Sequence, residues 1–319
     1  MAHELEFVNG VAQMAYVGDT PWHGLGKQVP ADLTPVQMLD AAGLNWNVDL
    51  EPAFVMIGDK VTPINKQALV RTSDNKILDI VSDDWNPVQN EEAFDFFNDF
   101  IAAGDMEMHT AGSLKGGQIV WALAKVKDSF DIFGGDQIDS YLLFSNFHRY
   151  GFSTDVRFTP IRVVCNNTLT LSLNSKVERM VKISHRKQFE ADSVKDMLGI
   201  AKEKLQQYKE MAQFLGSRMY KEESLVDYFQ RIFPLTTGNE KKTKDLSKNA
   251  STALSLVDNQ PGAEYAPGTW WQAYNAVTYL TDHRIGRSAD SRLTSAWYGQ
   301  NKNLKTKALE LAVDMAEAA

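Results

Sequence analysis

The chain has 319 residues, 44% of them hydrophobic and 10% aromatic, with a formal net charge of −8 and a single cysteine, Cys165. That composition excludes an intrinsically disordered chain, and one cysteine excludes internal disulfides and a cysteine-built zinc cage. A net acidic chain is also a poor general coat for nucleic acid, because nonspecific binding depends on neutralising phosphates.

The opening MAHELEFVNG carries acids where a signal peptide needs a basic end and an apolar run. No window reaches the apolar length of a membrane-spanning helix, so the expectation is a soluble cytoplasmic protein without membrane contact. Asp19–Gly26 places Trp22 and His23 in a glycine-rich loop, either against a ligand or as an anchor under the loop. Thr34-Pro35 predicts a capped helix that Gly43 closes. A strand follows over Trp46–Ile57, then a turn at Gly58-Asp59 and strands near Gln67–Arg71 and Ile77–Val81. Asn90, followed by Glu91 and Glu92, predicts a cap on a helix carrying Ala93, Phe94, Phe97 and Ile101 on one face. Gly116-Gly117 predicts a hairpin turn into the strand Gln118–Val126, and Gly134-Gly135-Asp136 precedes the strand Ile138–Phe147.

Ser145–Lys187 stands out by charge. It holds Arg149, Arg157, Arg162, Lys176, Arg179, Lys182, Arg186 and Lys187 against Asp155 and Glu178, a local +6 that leaves −14 for the rest of the chain. Phe147, Tyr150, Phe152 and Phe158 interleave with these cations. Rings that stack bases, set among cations that meet phosphates, are what a single-stranded nucleic acid site requires. Arg157 and Arg162 are five apart, which in an unbroken strand means opposite faces. Pro160 lies between them and cannot donate to a ladder, which predicts an edge or a bulge there, and a one-residue bulge would bring both onto one face. In Thr159–Leu171, strand residues Ile161–Val164 run into Asn166-Asn167-Thr168, which suit the cap of a following helix. Cys165 follows a β-branched run and suits a small buried hydrophobe better than a nucleophile.

From about Glu190 the period changes to 3.6. Val194, Leu198, Ala201, Leu205, Tyr208, Ala212 and Leu215 form an a/d-like seam, for packing on the chain's own domain or for subunit contacts. Thr236–Asn249 is polar and aperiodic, and the remainder reads as helices broken at Pro261-Gly262 and Pro267-Gly268. Within it, Asn275, Tyr279, Asp282 and His283 fall near one helical face. They suit a buried hydrogen-bonded network or a helix end, with Asp282 and His283 as the candidates for a metal that takes further ligands from elsewhere. The expected class is therefore α+β, with a mostly antiparallel sheet and helices in residues 1–189 and a helical region, 190–319, packed on it. Walker, dinucleotide-binding, zinc-hydrolase and nucleophile-elbow motifs are all absent, and no cofactor is expected.

PWHGLG near the start, DWNPVQNEEAFDFF (Asp84–Phe97), IRVVCNNTL (Ile161–Leu169) and NAVTYLTDHRIGR (Asn275–Arg287) occur in this order. Together they resemble a family of phage- and plasmid-borne proteins known mainly as a domain of unknown function. The resemblance implies a mobile-element setting and DNA-related or host-interaction roles, with no settled catalytic residues to carry over. A distant similarity to the Rad-type single-strand annealing proteins implies rings with DNA along a basic groove.

Three functions follow as expectations. The first is non-enzymatic binding and annealing of single-stranded DNA in phage or plasmid recombination, by a homo-oligomer such as a ring. Arg149, Arg157, Arg162, Lys182, Arg186 and Lys187 would meet phosphate, and Tyr150 and Phe152 would stack bases. The second is an interaction protein whose acidic surface binds a host defence factor. The third is a metal-dependent enzyme centred on Asp282 and His283.

Overall fold

The computed structural model describes residues 5–19, 25–127, 130–162, 167–168, 181–185, 201–235 and 246–318. Strands β1 (Phe7–Val8), β2 (Val11–Ala12), β3 (Met14–Val17) and β4 (Lys27–Val29) lead into helix α1 (Pro35–Ala41). Thr34 caps α1 as expected. Its hydroxyl accepts from the Gln37 N–H at 3.2 Å, and the Gln37 side chain returns to the Thr34 N–H at 2.9 Å. Gly43, at φ 72°, supplies the left-handed residue that ends the helix.

Strands β5 (Val48–Ile57), β6 (Lys60–Arg71) and β7 (Lys76–Val81) form an antiparallel three-stranded sheet in that order. The β5–β6 hairpin extends well beyond its support, and Phe54, Met56, Ile57 and Val61 near its tip are exposed. Helices α2 (Asn90–Asp95) and α3 (Asn98–Ala102) follow, and here the expected cap is corrected. Gln89 is the cap, its N–H donating to the Glu92 carboxylate at 2.9 Å. Asn90 is instead buried in the first turn, donating to the carbonyls of Leu44 and Trp46 at 3.0 and 3.2 Å. Its short amide closes a tertiary junction, and Gln89 is left to start the helix.

The main sheet is built from β8 (Met106–Leu114), β9 (Ile119–Val126), β10 (Phe130–Asp131), β11 (Gln137–Phe147), β12 (Thr154–Arg162), β13 (Asn167–Thr168) and β14 (Val181–Ile183). The described strands run in the order β13-β12-β11-β9-β8-β3-β4, with β10 on β11 and β14 on β12. All these pairings are antiparallel except β3 with β4. No bulge forms at Pro160, because β12 pairs continuously with β11 from Asp155 opposite Ser145 to Arg162 opposite Ile138. On its other side β12 pairs at 154–156 with β14 and at 161–162 with β13. Pro160 falls between these two stretches, where its missing N–H breaks no described ladder. Arg157 and Arg162 therefore hold positions on opposite faces. The expected helix cap at Asn166–Thr168 is also corrected in part: Asn167–Thr168 pairs back on β12 as a strand, while Asn166 and Cys165 lie outside the described residues.

Helices α4 (Ala201–Ser217), α5 (Glu222–Ile232), α6 (Lys248–Leu256), α7 (Trp270–His283), α8 (Ala289–Tyr298) and α9 (Gln300–Glu317) make up the C-terminal part. The fold is α+β, with a mostly antiparallel sheet followed by helices. The expected boundary near residue 190 lies outside the described residues. One apolar core joins Met38, Trp46, Phe94, Phe97, Phe144 and Val156 to Tyr208, Trp270, Trp271 and Leu309. A second core covers the opposite face of the main sheet, where Trp121, Leu143 and Phe147 meet Trp297. In the α4 seam Tyr208, Ala212 and Leu215 are buried in the chain's own core; Val194 and Leu198 lie outside the described residues.

Candidate nucleic-acid interface

The β11–β12 hairpin turns at His148–Ser153, and the chain there alternates between interior and solvent. Gly151, at φ 81°, takes a conformation that side chains disfavour, which lets the turn close. The Tyr150 N–H donates to an Asp79 carboxylate oxygen at 2.9 Å, tying the turn to β7. Tyr150 and Phe152 are left 55% and 41% exposed, unusual for rings of this size. Phe152 stacks on the buried Phe147, with centroids 5.2 Å apart and planes 17° apart. The Arg149 guanidinium lies 5.1 Å from the centre of the Phe152 ring. The Lys66 ammonium from β6 lies 5.6 Å from that of Tyr150. Beside the turn, a pocket of about 280 Å³ opens between Arg149, Phe152 and Lys115 on one side and Thr294 and Tyr298 of α8 on the other. Among the described residues, Lys66, Lys115 and Arg149 have no carboxylate within ion-pair distance. Cations outside ion pairs beside exposed rings can attract an anion and stack a flat ligand.

The other expected site residues divide. Arg149, Tyr150 and Phe152 come together at the turn, but Arg157 does not join them. Cross-strand from Leu143, Arg157 is only 9% exposed. Its Nε lies 3.6 Å from Asp155, and its guanidinium sits 5.0 Å from the centre of the Tyr298 ring. The Tyr298 hydroxyl in turn shares a 2.7 Å hydrogen bond with Ser145, and burial pushes its phenol well above the ordinary range. The correction has a physical cause: α8 covers this face of β12, so a charge here must be paired inside. Arg162 and Lys182 keep strand positions opposite Ile138 and Asp155, while Arg186 and Lys187 lie outside the described residues, as do Trp22 and His23.

Asp282 is held by Lys305 at 2.8 Å, and both side chains are buried. Burial lowers the Lys305 pKa, against the pull of Asp282. An ammonium at this distance occupies the carboxylate that a cation would need. His283 packs against Tyr279 with centroids 4.7 Å apart. Among the described residues, no cluster of three or more His, Cys, Asp or Glu could hold a metal.

The DWNPVQN segment lies behind the turn. His148, fully buried, contacts Asn90 Oδ1 through Nε2 at 3.0 Å, and Asn146 donates to the Val88 carbonyl at 2.7 Å. Trp85 stacks on His185 at 4.1 Å, and His185 Nδ1 lies 3.2 Å from the Asn86 carbonyl. Burial lowers the pKa of His148 to about 3 and that of His185 to about 4. These motif residues fasten the turn from the inside.

The family model described as "Domain of unknown function (DUF932)" matches residues 77–297. The chain belongs to that family. The match takes in β7 from Ile77, the main-sheet strands β8–β14, the His148–Ser153 turn and α8 as far as Trp297. No curated protein and no solved structure shows significant similarity to the chain. Among the described residues, no helix is long and apolar enough to cross a membrane.

Sequence reasoning found the rings and Arg149 but missed Lys66 and Lys115, which arrive from other hairpins. Lys115 carried one signal. It precedes Gly116-Gly117 in a tight turn and itself has φ 53°, which presents its side chain on a loop tip.

Proposed function

We propose that this DUF932 protein binds single-stranded DNA without catalysing a reaction, as an annealing or protecting factor of phage or plasmid recombination acting as a homo-oligomer. The observation that carries the reading is the β11–β12 turn. Exposed Tyr150 and Phe152 stand among Arg149, Lys115 and Lys66, none of which has a carboxylate within ion-pair distance among the described residues. The acidic balance of the remaining chain would confine a strand to this face. The surface is shorter than a groove running the length of Ser145–Lys187, because Arg157 is withdrawn from it.

Titration of a fluorescent oligonucleotide at several salt concentrations tests the proposal. Three neutralised phosphates, each worth about 0.7, predict a loss of about 2 log units of affinity per log unit of salt. Affinity that is flat in salt, or absent at low salt, overturns the reading. A second reading has its own observation. The exposed apolar tip of β5–β6, with Phe54, Met56, Ile57 and Val61, suits contact with another protein. On that reading the protein engages a host factor and its acidic surface supplies the charge match.

A further inference from the structure

We infer that the pocket between the β11–β12 turn and α8 seats a single nucleotide, with its base against the rings and its phosphate at the mouth. This deepens the single-strand reading and rests on it. Three rings converge there: Phe147 stacks on Phe152, and Tyr298 and Phe147 meet edge to face at 5.3 Å and 80°. Lys115 and Arg149 also line the pocket, and neither has a carboxylate partner among the described residues. A ligand that satisfies both features is flat and apolar at one end and anionic at the other. The volume of about 280 Å³ lies just below the usual range of ligand sites, which limits the seat to one small ligand.

The hydroxyls nearby are already committed. Ser291 exchanges hydrogen bonds with Ser288 in the cap of α8, and Ser295 Oγ accepts from the Asn301 N–H at 3.0 Å. Few groups are left to read a base edge. The seat should therefore recognise the shape and charge of a nucleotide and tolerate any base, as stacking on rings and guanidinium planes does.

The test measures dAMP, dTMP, deoxyadenosine and inorganic phosphate against the whole chain by calorimetry, beside an oligonucleotide titration. Both nucleotides should bind alike, and each half-ligand should bind at least about tenfold more weakly, one charge-assisted contact being worth about that factor. Thr294→Trp, which fills the pocket, should abolish nucleotide binding and weaken the oligonucleotide about tenfold. If Thr294→Trp disturbs folding, Lys115→Asn serves in its place, because asparagine tolerates the left-handed φ while the charge is lost. A folded Thr294→Trp or Lys115→Asn chain that binds nucleotide and oligonucleotide like the parent overturns the pocket inference. Oligonucleotide binding without any mononucleotide binding overturns it too, and leaves the single-strand reading standing. Mononucleotide binding without oligonucleotide binding does the reverse: the strand reading falls, and the pocket stands as a site for free nucleotides.

Discussion

Arg149 and Arg157 belong to the same β11–β12 hairpin, yet one faces solvent over Phe152 and the other is sealed under Tyr298 with Asp155 beside it. The contrast repeats between neighbours, since His148 points into the Asn90–Asn146 network while Arg149 points out. Position along a basic run therefore says little about availability. What separates the two arginines is cover: α8 lies over the middle of β12, whereas the turn projects past it. Interior charges hold the hairpin together, and turn charges are left for a ligand.

The largest way to test this division is acid. His148 and His185 have folded pKa values of about 3 and about 4, below the ordinary 6.5, and burial is the main cause of both. A depressed histidine means that the unfolded chain takes up protons first. Their stabilisation is complete above about pH 6.5 and is lost progressively as pH falls toward 4 and then 3. No carboxylate is among the groups bonded to either ring; they are Asn90, Asn146, Thr154 and the Asn86 carbonyl. Melting temperature should fall between pH 6.5 and 5, before most carboxylates protonate, and His148→Gln should flatten that part of the profile. A parent profile that is level over this window would show the pair to be accessible to water.

Next in size is the interior arginine itself. Arg157→Ala removes the buried guanidinium beside Asp155 and under Tyr298, and Lys305→Ala removes the buried ammonium that pairs with Asp282. Each should cost about 3–5 kcal/mol in urea unfolding. Losses below about 1 kcal/mol would mean that α8 opens and that Arg157 reaches solvent, which would return it to the binding surface.

How far the sequence reveals this follows from the range of each interaction. The cap at Thr34, the turn at Gly58-Asp59 and the strand periods are decided by residues a few positions apart, and they form where local chemistry puts them. The fate of Arg157 depends on Tyr298 and Ser145, which only the folded sheet and α8 bring together. Pro160 signals either an edge or a bulge, and only the folded sheet decides between them: β12 has no second described neighbour at Pro160, so the ladder to β11 runs on without a bulge. Asn90 has the composition of a cap and is drawn instead to the Leu44 and Trp46 carbonyls. Rings and one cation of the candidate site could be read from the sequence because they share one turn. Lys66 and Lys115 could not, since tertiary packing alone brings them beside it.

Smaller effects separate ligand binding from folding at the turn. Tyr150→Ala should weaken oligonucleotide binding by about 1–3 kcal/mol if a base stacks on its exposed ring. Stability should hardly change, because the residue's tie to β7 is made by its backbone N–H and survives the substitution.

Arg149→Ala is the sharpest comparison, and its expected change in stability is also small. It is the same substitution as Arg157→Ala, in the same hairpin. The folded chain loses one guanidinium–ring contact with Phe152, about 0.5–1 kcal/mol at an exposed site, and no buried charge is stranded. Oligonucleotide affinity should fall, and the salt slope should shrink by about 0.7, the share of one phosphate. Unfolding curves and salt titrations of the two arginine variants thus predict opposite signatures. Arg157→Ala should move the unfolding midpoint by the larger amount and leave the salt slope of the folded fraction intact. Arg149→Ala should move the slope and barely touch the midpoint. If both variants shift the midpoint alike, the division between a load carried inside and a surface left for ligand does not describe this hairpin.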